Sequence, residues 1–209
     1  MSQSIKRGIL AGFCLFLLVA AFFLDARVDH WTAAHRFPGL QEAATFWCKY
    51  LAWPWLMLYA GVGWLVAWRW GRKEGVRVLC AMMIAASLAG LSADLGRGLT
   101  GRTRPYNESA PQGWYGVRRD GHWLIGRHAF NSFPSGHTAA ISGFLVPLVC
   151  WRRRWAALVF PLIGIMAAAR VYLRAHHLSD VTAGAMLGAL VAYLVWRRFV
   201  RARALPEPA

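Results

Sequence analysis

"HHLSDVTAGAMLGALVAYLVWRR", residues 176–198, sets polar chemistry at one end of a long apolar run and two arginines at the other. From Leu178 to Trp196 the side chains are mostly apolar or small, enough to cross a hydrocarbon layer of about 30 Å as a helix. His176 and Asp180 stand four residues apart, so they share one face if the helix begins near His176. Asp180 can then accept a hydrogen bond from one imidazole nitrogen and leave the other for chemistry. A capping pair at a membrane boundary would have the same spacing. Gly184 and Gly188 form a GxxxG step that lets a second helix approach closely.

Five further stretches read the same way: Gly8–Leu24, Tyr50–Trp68, Val78–Leu95, His137–Trp151 and Trp155–Leu173. The fourth reaches full length only with its Pro-Ser-Gly start. Pro54, Pro147 and Pro161 fall inside segments, as membrane helices tolerate. With 57% hydrophobic and 16% charged residues among 209, the chain is too apolar for an ordinary soluble domain. The expectation is an all-α, integral membrane six-helix bundle forming one domain over 1–209, with a C-terminal tail at 197–209. Lys6-Arg7 before the first apolar core also fits a signal peptide, but no small-x-small cleavage site follows. Cys14, Cys48, Cys80 and Cys150 lack metal or disulfide spacing and read as packing residues.

The net charge of +15 comes in short clusters between apolar runs, which fits topology signals and anionic lipid better than nucleic acid. Lys6-Arg7, "RWGRKEGVR" at 69–77, "WRRRW" at 151–155 and "RRFVRAR" at 197–203 alternate with the other connections. The positive-inside rule assigns them, and both termini, to the cytoplasm. The 25–49, 96–136 and 174–177 connections then face outward; six of the seven histidines fall in that set, and His137 follows directly on it.

Three outward stretches carry the chemistry: "RGLTGRTRP" at 97–105, "PSGH" at 134–137 and "ARVYLRAHHLSD" at 169–180. Arg97, Arg104 and Arg170 lie near helix ends, where an unpaired guanidinium is costly and a phosphoryl group is a fitting partner. Arg118, Arg119 and Arg127 read as interfacial contacts to headgroups; Arg102 and Arg174 fit either role. Pro134-Ser135-Gly136 is helix-start chemistry: backbone N–H groups at Ser135, Gly136 and His137 would point at an anion, and Gly136 allows close approach. The Ser135 hydroxyl adds a donor, and His137 stands where it could protonate a departing oxygen.

In order, R-x6-RP, PSGH and R-x5-H-x3-D resemble the three-part signature of the type 2 phosphatidic acid phosphatase superfamily, over Arg97 to Asp180. The resemblance implies that His176 is the nucleophile forming a phosphohistidine, that Asp180 orients it and that His137 protonates the leaving group. It implies that Arg97, Arg104, Ser135, Gly136 and Arg170 hold the phosphate, without metal or other cofactor. Two positions depart from the pattern. Arg97 replaces the usual lysine, a fork in place of a point charge. Ala169 replaces the usual serine, which removes one hydroxyl.

The implied partner is a membrane lipid phosphate, met at the outer, periplasmic face of a bacterial inner membrane. Undecaprenyl diphosphate, lipid A phosphate, phosphatidylglycerol phosphate and phosphatidic acid all fit that resemblance. A phosphotransferase would need the same residues, and a non-catalytic lipid-binding protein would keep the arginines but tolerate loss of His176. A metal hydrolase would use His122, His128, His137, His176 and Asp180. The family's soluble haloperoxidase branch disagrees with the apolar spans.

Overall fold

The computed structural model describes residues 2–201; residues 202–209 of the tail, and the side chains of Lys6, Arg7 and Arg201, lie outside the described residues. The chain is almost wholly helical: α1 (Gln3–Ala34), α2 (Pro38–Tyr50), α3 (Trp53–Arg69), α4 (Lys73–Thr100), α5 (Gly136–Trp151), α6 (Ala156–Tyr172) and α7 (Leu178–Val195). A six-residue π-helix, Trp196–Arg201, prolongs α7. Four helical stretches are long and apolar enough to cross a membrane: 8–34, 73–100, 153–172 and 178–200. A fifth is added if α2 and α3, bent by 53° at their junction, count as one span.

Two elements differ from the sequence expectation. α1 runs ten residues past Leu24, and the connection at 25–49 is not a loop but holds the end of α1 and all of α2 except its last residue, Tyr50. Pro38 presets the first turn of α2, and "LQEAA" supplies good helix formers behind it. A search for long apolar runs passes over so short a helix with polar residues. The Tyr172 hydroxyl locks the bend between α1 and α2: it donates to His35 O (3.0 Å) and accepts from Phe37 N (2.7 Å).

α5 is the hub. Ten of its residues, from Gly136 to Pro147, are buried, and it packs most extensively against α7 and α4. Small residues make this possible. Ala85, Ala86, Ala89 and Ala93 of α4 have no exposed surface. A side chain at Gly184 would come within 2.5 Å of Ser135 O, and one at Gly188 would meet Ala139 O. The GxxxG step is therefore where α7 lies against the start of α5. With backbones this close, dispersion contacts and interhelical hydrogen bonds hold the pair, such as Ser142 Oγ to Ala185 O at 2.8 Å.

This packing brings the C-terminal ends of α4 and α6 together with the N-terminal ends of α5 and α7. The long 101–135 connection lies over the same end. It carries a small hairpin, in which Arg118 pairs with Trp123 and Arg119 with His122. Asp120 and Gly121, both at positive φ, make its turn.

Candidate active site

His176 sits between α6 and α7, 1% exposed. Its Nδ1 is 2.8 Å from the carbonyl oxygen of Ser132. A carbonyl can only accept, so Nδ1 carries the proton and Nε2 holds the lone pair of the neutral ring. Nε2 is buried and, among the described residues, has no hydrogen-bond partner. Burial, with Arg170 and Arg104 adding to it, holds the imidazole's pKa at about 4 against the opposing pull of Asp180. The ring is therefore neutral at pH 7, the form a nucleophilic nitrogen needs.

Asp180 stands behind this ring rather than bonded to it. Its Oδ2 is 3.6 Å from His176 Nδ1, beyond hydrogen-bond length. The sequence expectation of a direct Asp180–His176 hydrogen bond is thus modified: the Ser132 carbonyl fixes the tautomer, and Asp180 supplies negative charge nearby. Its oxygens are already engaged. Oδ2 accepts from Ser132 Oγ (2.5 Å) and His177 N (2.8 Å), and Oδ1 accepts from Arg102 (2.5 Å).

At the start of α5, Ser135 is the N-cap, and its hydroxyl accepts from Thr138 N. The Ser135 N–H is not available to an anion as the sequence suggested; it donates to Asp180 O at 2.9 Å and ties the start of α5 to the first turn of α7. Gly136 serves close approach. A Cβ there would lie 3.0 to 3.1 Å from the Arg97 guanidinium. Arg97 pairs with Asp94 one turn back on α4. Arg97, Gly136 and His137 line one wall of a groove of about 430 Å³, completed by Trp53, Ser87 and Leu91. The groove leads from the polar end down an apolar flank between α3, α4 and α5.

Arg104 donates to Asn131 O (3.1 Å), while its Nε and second terminal nitrogen are buried without a partner among the described residues. The Nε atoms of Arg97 and Arg170 are in the same condition. Burial, then the neighbouring Arg170, lowers the Arg104 pKa to about 10. Arg97, Arg104 and Arg170 act on one another's charge, and Arg170 acts on His137 and His176. All eight residues singled out for the chemistry thus lie at one end of the bundle, close enough for the arginines to act on the charge of the two histidines.

Sequence reasoning missed Asp25, Ser132, His177 and Ser179 and left Arg102 undecided. Arg102 is buried beneath the site. It donates to Asp25 (2.7 Å), Asp180 and Ser179 Oγ (2.7 Å). The rings of Phe22, Trp114 and Phe133 surround its guanidinium at 4.7 to 5.9 Å. Arg174 forms a forked bridge to Asp29 at 2.8 and 3.1 Å. Among the described residues, no group of three or more His, Cys, Asp or Glu side chains is arranged to hold a metal ion.

The model of the PAP2 superfamily matches residues 74–204. The chain belongs to the PAP2 superfamily. The Escherichia coli (strain K12) protein named "Putative undecaprenyl-diphosphatase YbjG" is 30% identical over 139 residues. The chain spans 64% of that relative's length, and the match covers 64% of this chain. Two crystal structures share the fold. The PAP2-type phosphatidylglycerolphosphate phosphatase from Bacillus subtilis aligns over 97% of this chain and 99% of its own, with a TM-score of 0.60 at 20% identity. Aquifex aeolicus LpxE aligns over 83% and 95%, with a TM-score of 0.58 at 18% identity. Among PAP2 superfamily sequences, then, this chain is an integral membrane protein whose three signature stretches meet at one end of its helices.

Proposed function

We propose that this protein is a metal-independent lipid phosphate phosphatase working through a phosphohistidine. The observation that carries the reading is His176: neutral, proton fixed on Nδ1 by the Ser132 carbonyl, and Nε2 unpaired beside arginines that keep buried N–H groups without partners. Arg97, Arg104 and Arg170, with the Gly136 and His137 amides, hold the phosphoryl oxygens. Nε2 attacks phosphorus, the bond to the leaving oxygen breaks, and that oxygen takes a proton from His137. Water then attacks the phosphohistidine, His137 receives its proton, and the N–P bond breaks to release phosphate. Positive charge developing on the attacking ring is answered by Asp180. Most of the rate comes from positioning and from fixed positive charge around the phosphoryl oxygens.

The substrate is a lipid whose chain lies along the 430 Å³ groove while its headgroup reaches Arg97 and His137. The name of the Escherichia coli relative makes undecaprenyl diphosphate the first lipid to test; phosphatidylglycerol phosphate, lipid A phosphate and phosphatidic acid follow. In a bilayer, α1, α3, α4, α5, α6 and α7 make six spans. The basic clusters put both termini in the cytoplasm and the site at the periplasmic face of the inner membrane. The whole chain, including 202–209, works as one domain.

Phosphate release from that panel by purified protein in detergent, with excess chelator and with vanadate, is the test. Activity is expected to persist in chelator and to fall with vanadate. His176→Ala is expected to abolish turnover, and the phosphoenzyme trapped from active protein should be acid-labile and base-stable. Robust turnover by His176→Ala would refute the nucleophile.

A further inference from the structure

The active-site description leaves one buried group unexplained. Asp25 lies well along the mainly lipid-facing helix α1, outside the 74–204 segment that carries the family match, yet it is only 8% exposed. A carboxylate at that depth in an apolar helix needs partners. Asp25 has three contacts with them. Oδ1 accepts from Ser179 N at 2.8 Å, and Oδ2 from Ser179 Oγ at 2.5 Å and Arg102 at 2.7 Å. Ser179 N is one of the first-turn amides of α7 that have no acceptor within the helix, so Asp25 caps the helix that presents Asp180. Arg102 reaches Asp25 with one terminal nitrogen and Asp180 with the other.

We propose that Asp25, Arg102 and Asp180 form a positioning relay through which α1 sets the charge and placement of the carboxylate behind His176. The inference rests on the phosphatase reading above. Asp25 touches neither substrate nor His176; it acts through Arg102 and Ser179. With both acids ionised, the three groups carry one net negative charge. Arg102 is thereby prevented from cancelling Asp180, and the charge remains available to the ring. The other charged or titratable groups acting on His176 are Arg170 from α6, Arg104 from the 101–135 connection and His137 from α5; His177 acts on Asp180, and Arg97 from α4 acts on His137 and Arg104. Among the described residues none of these is hydrogen-bonded to Asp25, although Asp25 also acts on the charge of His177.

Asp25→Asn removes the charge and keeps the shape. Arg102 then neutralises Asp180, the ring is harder to protonate, and positive charge forming on it during attack is less supported. The expected result is a fall in kcat of about tenfold at nearly constant KM, as interaction energies within such networks allow. The acid limb of the kcat/KM profile should move down by about one pH unit. Asp25→Glu, which keeps the charge, should recover most of kcat and return the limb.

Asp29→Asn is the matched control. Asp29 lies one turn further along α1 and bridges Arg174, with no contact to Asp180. It should lower the thermal midpoint in detergent without moving the limb. If Asp25→Asn also lowers only the midpoint, keeping kcat and limb, α1 is a strut and the relay is wrong. Should Asp25→Asn not fold, Asp25→Ser, smaller and equally uncharged, carries the test: lowered kcat at nearly constant KM with a shifted limb supports the relay, and wild-type kcat and limb overturn it. Wild-type protein inactive on every lipid in the panel sinks the phosphatase reading and the relay together; an active wild type with indifferent Asp25 variants sinks the relay alone.

Discussion

Arg102 and Arg104 are two residues apart on one connection, and the fold treats them in opposite ways. Arg102 is bonded to Asp25, Asp180 and Ser179 and boxed by three aromatic rings. Arg104 has a single bond, to a backbone carbonyl, and two buried nitrogens left over. The contrast extends to their neighbours. Arg174, like Arg102, is answered by an acid of α1; Arg170 has a buried Nε without a partner among the described residues, and Arg97 is intermediate, paired with Asp94 through one terminal nitrogen while its Nε is left over. A buried guanidinium requires a counter-charge. Where the chain supplies it, the arginine is architecture; where the chain withholds it, an anion from outside is called for. Residue type alone does not separate the two groups, but their partners do.

The contrast breaks most visibly at Arg102. Arg102→Gln strands two buried carboxylates and is expected to cost about 3–5 kcal/mol of stability, read as a large drop in the thermal midpoint in detergent. Arg104→Met should do the reverse. On the proposed mechanism its loss would remove one fixed donor from the reacting phosphate and lower kcat by about 10²–10³-fold, about 3–4 kcal/mol of barrier, with the thermal midpoint unchanged or raised. Equal loss of stability in both variants would erase the distinction.

The arginines around His176 also predict a pH response. Its pKa in the folded protein, about 4, lies below the ordinary histidine value of 6.5. In the unfolded chain the ring protonates first as pH falls, so stability at this site declines from about 6.5 down to about 4 and then levels. Activity requiring the neutral ring should persist below pH 6 and be lost near pH 4, as a kcat/KM profile on folded protein would show. Gly184→Val tests the scaffold beneath both groups. Its side chain would meet Ser135 O, and such overpacking typically costs about 1–3 kcal/mol, with lower activity because the start of α5 must shift. The smallest effect is expected at Arg174→Lys. Arg174 and Asp29 are each about a quarter exposed, so replacing the fork with a point charge should change stability by about 1 kcal/mol or less.

The arginines, PSGH and the His176–Asp180 spacing were legible because each is local and their order along the chain is specific. Long apolar runs likewise disclosed the four helices long and apolar enough to cross a membrane. What escaped was non-local or carried by backbone. Asp25 meets Arg102 across 77 residues, and nothing near either one announces the pairing. A signal did exist: an acid at the end of an apolar span implies a partner, and two undecided arginines were available. The Ser132 carbonyl that fixes the His176 tautomer leaves no trace in residue type. α2 was hidden for a third reason, being too short and too mixed in polarity to register as a span.

α5 is only 16 residues long, a rise of about 24 Å against a hydrocarbon layer of about 30 Å. With Trp151 at the far boundary, its opening turn, with Gly136 and His137, would lie beneath the plane in which phosphates ordinarily rest. A lipid phosphate reaching the proposed site would then have to sink, by a depth that varies with acyl-chain length in the surrounding leaflet. On the phosphatase reading, turnover in vesicles of graded thickness should follow that depth, and the membrane itself would tune the activity.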